Sequence, residues 1–149
     1  MLVYRITLAK YAHRLKASGR AARWNYNDQE MIYTSSSRSL ACLENVVHRS
    51  QVGLSDHFRV LSIEIPESTA IISIDIKQLP AQWQAFENMH ITQAIGGKWL
   101  EKAQGAVLRV PSSIIQTEFN YLLNPRHADF KQIRIVKTDP FLFDERIKR

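Results

Sequence analysis

Residue types able to do chemistry cluster between Ser18 and Arg49, in SGRAARWNYNDQEMIYTSSSRSLACLENVVHR. A glycine-led basic turn with Gly19, Arg20 and Arg23 runs into Trp24 and Asn25. A short apolar strand then ends at Tyr33, and a serine run opens a helix that carries Glu44. Arginine's planar fork gives paired, charge-assisted hydrogen bonds to phosphate or carboxylate. An aromatic face accepts a flat or cationic ring, and a carboxylate stabilises positive charge that grows beside it. Arg5, a cation inside an alternating β-pattern, and Ser112, directly after Pro111, complete the set. A loop, a strand end and a helix meet only through folding, so these residues form a constellation and not a linear motif. The plain alternative is an Arg23–Glu44 ion pair closing the loop onto the helix, with Tyr33 a core aromatic and Ser112-Ser113 a cap.

The elements that must position them follow from hydrophobic period and turn chemistry. Leu2 to Ile6 alternates as a strand, with Tyr4 and Ile6 on one face and Val3 and Arg5 on the other. A cation there implies a sheet edge or an anionic neighbour. Leu8, Tyr11, Ala12 and Leu15 recur at helical spacing before Gly19 and predict a helix over Leu8 to Lys16. Gly19 to Asn27 reads as a loop and Met31 to Thr34 as a short strand, and Ser35 to Ser37 offer N-cap hydroxyls to the helix after them. In that helix Leu40, Leu43, Val46 and Val47 make the apolar stripe. Glu44 falls at its margin, where a carboxylate is partly desolvated and needs a partner.

Further strands are predicted at Phe58 to Ile65, Ala70 to Ile76, Gly105 to Val110, Gln132 to Lys137 and Phe141 to Phe143. Lys77 to His90 reads as a connecting loop with helical pieces. Thr92 is placed to cap a helix running to about Lys102, in which Gly96-Gly97 permits close packing or a kink. Strands outnumber helices and cluster after position 57. The expectation is one mixed α/β (α+β) domain over residues 1–149 around a curved sheet, in preference to a doubly wound one.

At 149 residues the chain suits a single core. Apolar residues make up 45% and charged residues 23%, and no apolar run approaches the roughly 20 residues that span a bilayer. Arg5 interrupts what a secretory h-region would need, and Cys42 has no cysteine to pair with. A soluble cytoplasmic protein with no membrane role is expected. A net charge of +6 and a pI near 9.7 favour an anionic partner: nucleic acid, a phosphorylated metabolite or an acidic protein. Aromatics beside cations at Arg23-Trp24 and Lys98-Trp99 keep a basic nucleic-acid-binding module in view. There is no Walker-type loop, no GxGxxG and no hydrolase elbow around Ser112. His13, His48, His57, His90 and His127 lack metal spacing, so no metal is expected.

YRI near the start, GRAARWN, MIYTSSSRSLACLE, RVPSS, NYLLNPRHADF and a closing FDERI resemble, in order, the RES-domain proteins, named for an Arg, a Glu and a Ser. The resemblance spans nearly the whole chain. The glycine pair that often precedes RWN in that family is Ala21-Ala22 here. The resemblance implies the toxin half of a bacterial toxin–antitoxin pair, with a fold and a split, curved sheet like those of ADP-ribosyltransferase toxins. It implies NAD as substrate, cleaved at the nicotinamide–ribose bond by hydrolysis or phosphorolysis, or transferred as ADP-ribose to a protein. A helix-turn-helix antitoxin is the implied partner, with homo-oligomerisation within the complex possible and no direct nucleic-acid binding expected without the antitoxin. Carried over residue by residue, Arg5 and Arg23 are the basic residues suited to a pyrophosphate, Tyr33 the aromatic that stacks on nicotinamide, Glu44 the acid that steadies the ribosyl cation, and Ser112 the serine that orients ribose, phosphate or nucleophile.

Overall fold

The computed structural model describes residues 1–48 and 57–147, so Arg49 and the last two residues of the basic tail lie outside it. One mixed sheet of seven strands forms the body. Its strands are β1 (Leu2–Leu8), β2 (Ile32–Ser35), β3 (Phe58–Glu64), β4 (Ile71–Ser73), β5 (Val107–Pro111), β6 (Phe119–Leu123) and β7 (Arg134–Phe141), in spatial order β4-β5-β6-β2-β1-β3-β7. All neighbours are antiparallel except β4 with β5, so the sheet is α+β in character and not doubly wound. Two helices accompany it, α1 (Arg38–His48) and α2 (Met89–Lys102).

The ladder is uneven. β1 pairs β3 along its full length, from Leu2 opposite Glu64 to Leu8 opposite Phe58. Against β2 it keeps a single register pair, Tyr4 opposite Ser35. The sheet is therefore split between β1 and β2. β1 is an interior strand, and Arg5 sits at the split, where its Nη1 donates to the Tyr33 carbonyl at 2.9 Å. The mid-strand cation marks this opening and not an edge.

Both faces of the sheet are covered. Val3, Leu61, Ile63, Val107, Leu123 and Ile133 pack on one side, with Leu15 and Phe130 laid over them. On the other side, Trp24, Trp83, Trp99, Leu108 and Leu122 form one cluster, and Ile6, Ala41, Val46, Phe58 and Phe143 form another beneath α1.

Four local expectations are corrected. The predicted helix over Leu8 to Lys16 is one 3-10 turn, Ala9–Tyr11, after which the chain runs irregularly while Ala12 and Leu15 cover the sheet. The apolar spacing is real, but burial is met by a covering segment. Thr92 lies inside α2, which begins at Met89, and its hydroxyl donates to the carbonyls of Arg23 and Met89. The two strands expected near the C-terminus are the single β7, which continues through Pro140, opposite Arg59. A proline lacks an N–H, and an edge strand has a side on which none is needed. Finally, the strand expected over Ala70 to Ile76 is only β4, because Asp75 caps a 3-10 turn over Ile76–Gln78.

Candidate active site

Loop, strand and helix converge beside the split. A cleft of about 820 Å³ opens there, lined by Arg5, Arg20, Arg23, Tyr33, Glu44 and Phe86 among others. Four of the five residues singled out from the sequence thus share one cavity. Ser112 does not line it; it stands behind Glu44, fully buried.

Glu44 reaches this place because α1 lies with Leu40, Ala41 and Val46 buried and Leu43 and Val47 exposed at 38% and 56%. The expected stripe of Leu40, Leu43, Val46 and Val47 is rotated toward the small Ala41, which turns Glu44 inward. Ser37 caps the helix as expected, its Oγ accepting from the Leu40 N–H at 3.1 Å. Glu44 Oε1 receives two hydrogen bonds, from Ser112 Oγ at 2.8 Å and from Asn120 Nδ2 at 2.7 Å.

Both donors are fixed by their other bonds. Ser112 Oγ accepts from the N–H groups of Ile114 and Ile115 at 3.0 and 3.1 Å. A hydroxyl has two lone pairs and one proton, so its proton is left to point at Glu44. Asn120 Oδ1 accepts from Ser35 Oγ at 2.8 Å, which turns the amide nitrogen toward the carboxylate. Asn120 was not read as a site residue. Its signal, an asparagine alternating with apolar residues in FNYLL, was visible as a polar residue on a strand face that must be buried.

Arg23 is carried by the loop between β1 and β2, and the loop is locked from two directions. Tyr33 Oη accepts from the Trp24 N–H at 3.0 Å and donates to Asn25 Oδ1 at 2.6 Å. The buried Asn25 amide then donates to the carbonyls of Arg20, Tyr26 and Gln29 at 2.9, 2.9 and 3.2 Å. From α2, Gln93 Nε2 donates to the carbonyls of Ala22 and Asn25 at 3.0 and 3.1 Å. Gly96 allows the contact: a Cβ there would stand 1.8 Å from the Trp24 carbonyl oxygen. The loop needs no glycine at Ala21-Ala22, because Ala22 bridges Asn25 in ordinary backbone geometry and only Gly19, at φ 75°, takes a left-handed conformation in this basic turn.

The Arg23 guanidinium lies among these groups. Its Nη1 donates to the carbonyls of Trp83 and Ala85 at 3.3 and 3.4 Å, and its buried Nε has no hydrogen-bond partner among the described residues. Burial lowers its pKa, and the nearby Glu44 and then Tyr33 oppose that shift. Burial chiefly, against the Trp24 hydrogen bond and Arg23, drives the Tyr33 phenol far above its usual range. Tyr33 is thus neutral, its hydroxyl spent on the loop while the side chain borders the cleft.

The tryptophans that suggested a nucleic-acid platform are inside. Trp24 and Trp99 are both buried in the cluster against β5 and β6 and present no face to a base. No group of His, Cys, Asp and Glu suited to a metal ion occurs among the described residues, and no helix among them is long and apolar enough to cross a membrane.

Comparison with known proteins agrees with this architecture. The model of the RES domain matches residues 2–144. A protein of Yersinia enterocolitica named Toxin Res is 35% identical over 99% of this chain and 100% of its own length. A Sphingobium protein named Prs ADP-ribosylating toxin is 36% identical over 85% of this chain and 80% of its own. A chain in the crystal structure of the M. tuberculosis MbcT–MbcA toxin–antitoxin complex superposes with a TM-score of 0.74 at 16% identity, covering 95% of this chain and 84% of that one, a likeness of fold. With the family's pattern running from β1 to beyond β7 and full-length relatives that are toxins, this chain belongs to the RES-domain toxins.

Proposed function

We propose that this toxin acts in the cytoplasm on NAD, breaking the bond between nicotinamide N1 and ribose C1′. The observation that carries the reading is Glu44: a carboxylate oriented by two fixed donors at the wall of a cleft that also holds Arg5, Arg20 and Arg23. NAD offers the complementary charges, a pyrophosphate for the arginines and a ribosyl centre that turns cationic as nicotinamide leaves. The electron pair of the breaking bond departs with nicotinamide and neutralises its ring. Glu44 stabilises the positive charge left on ribose, and an acceptor oxygen then bonds C1′ and loses its proton. Arg23 Nε, buried without a protein partner among the described residues, favours an anion beside it. Tyr33 offers its ring to the nicotinamide cation, and Ser112 acts on the substrate only through Glu44.

The direct test is incubation of the purified protein with NAD and chromatographic detection of free nicotinamide. No release above that of Glu44→Gln would remove the proposal. A second reading, transfer of ADP-ribose to a protein, is favoured by the Sphingobium relative, which is named an ADP-ribosylating toxin. Mass analysis separates the outcomes: ADP-ribose for water, its 1″-phosphate for inorganic phosphate, or a protein heavier by ADP-ribose. The partner is a cognate antitoxin, in keeping with the toxin–antitoxin complex among the fold's solved likenesses, and the family resemblance implies that it carries a helix-turn-helix region.

A further inference from the structure

Phe86 is 80% exposed, yet it borders the cleft. It stands in the 3-10 turn Phe86–Asn88 at the head of α2. The turn is tightly built around this outward ring. Gln82 adopts φ 58°, in the left-handed region, and its carbonyl accepts from Asn88 Nδ2 at 2.8 Å and from the Ala85 N–H at 3.0 Å. Trp83 anchors the segment in the core, its ring 6.0 Å from that of Trp24. Arg23 Nη1 holds the carbonyls of Trp83 and Ala85. Strain and several hydrogen bonds are thus committed to a segment that leaves a large apolar ring in water, an arrangement that serves recognition better than stability.

Resting on the proposed action on NAD, we infer that Phe86 is the stacking wall for the adenine of the dinucleotide, and that Arg23 is a positioning residue for that wall as well as a cation of the cleft. Direction along the cleft decides which base meets it. The bond to be broken must lie at Glu44, whose carboxylate is set against the buried Ser112 and Asn120. The nicotinamide end is therefore innermost. The pyrophosphate follows past the arginines, and the second base comes out where the exposed Phe86 stands. Every base has a π-face, so a lone aromatic wall holds adenine without reading its edge.

The test compares the wild type with Phe86→Ala, Phe86→Tyr and Phe86→Leu on two substrates, NAD and nicotinamide mononucleotide, which lacks the adenosine half. Phe86→Ala lowers the ratio of kcat/KM for NAD over nicotinamide mononucleotide about tenfold, mainly through KM for NAD, the size expected for loss of one base stack. Phe86→Tyr restores the ratio and Phe86→Leu does not. An unaltered ratio in Phe86→Ala, or full rescue by leucine, overturns the inference. Because the side chain is exposed, thermal melts of the variants match the wild type. Binding of ADP-ribose by calorimetry keeps this question apart from the proposed reaction: a protein inert toward NAD whose ADP-ribose affinity still drops in Phe86→Ala refutes the reaction and keeps the wall, and equal affinities refute the wall alone.

Discussion

Glu44, the residue proposed to steady the ribosyl charge, is oriented by two donors whose own surroundings are fixed. The Ser112 hydroxyl accepts two backbone N–H groups and the Asn120 amide oxygen accepts from Ser35, so each turns a proton toward one carboxylate oxygen. Glu44→Gln keeps size and removes the charge; nicotinamide release should fall about a hundredfold or more, with the circular dichroism of the folded protein retained. Near-normal turnover would take Glu44 out of the mechanism. Tyr33 behaves differently, since its hydroxyl ties Trp24 to Asn25. Tyr33→Phe should destabilise the protein by about 1–3 kcal/mol at neutral pH, the cost of leaving the buried Trp24 N–H unmatched. The same hydroxyl has an alkaline signature. Its folded pKa is raised by burial above the ordinary 10.0, so its contribution is complete below that pH and is lost as pH rises beyond it. The stability gap between wild type and Tyr33→Phe in denaturant titrations should narrow above pH 10; a constant gap would mean the phenol titrates normally.

At the scale of elements, α2 is the part that fixes the arginine loop, through Gln93, Thr92 and the close approach at Gly96. Gly96→Ala places a methyl group where the Trp24 carbonyl oxygen already lies. It should cost on the order of 1–3 kcal/mol in thermal or chemical denaturation and raise KM for NAD, as the loop carrying Arg23 is pushed off the helix. Wild-type stability would show that the helix and loop part easily. What was legible beforehand follows the same logic. The strands at β1, β2, β3 and β5, the Ser37 cap and the close packing of Gly96 came from local pattern, because each depends on near neighbours in sequence. The face of α1 did not, since Leu43 and Val47 outweigh Ala41 in any hydrophobic count, and only tertiary contacts choose the smaller residue. The bond of Ser112 to Glu44 and the part played by Asn120 were not legible, because both depend on a carboxylate 68 and 76 residues away.

At the scale of the whole molecule, the proposed activity would exhaust its host's NAD, so its control belongs at the cleft. Arg5, Arg20 and Arg23 offer an acidic segment or chain-terminal carboxylate of an antitoxin the same forks proposed for pyrophosphate. Stepwise truncation of the partner's terminus should restore NAD cleavage while the complex still co-purifies; full cleavage by the intact complex would defeat occlusion. The split sheet carries a further consequence. Strands β1, β3 and β7 with α1 form one leaf, and β2, β4, β5 and β6 form the other, joined in the ladder by one register pair. Glu44 belongs to the first leaf, and its two donors, Ser112 and Asn120, to the second. Arg5 crosses the same line to reach Tyr33. The residues proposed for the reaction are therefore also rivets across a seam, and removing a rivet should loosen the joint before it melts either leaf. In deuterium-exchange measurements, Glu44→Ala should speed exchange of the backbone amides of β1 and β2 that face the seam while those paired between β1 and β3 and between β2 and β6 stay protected; uniform acceleration would mean that the two leaves unfold as one.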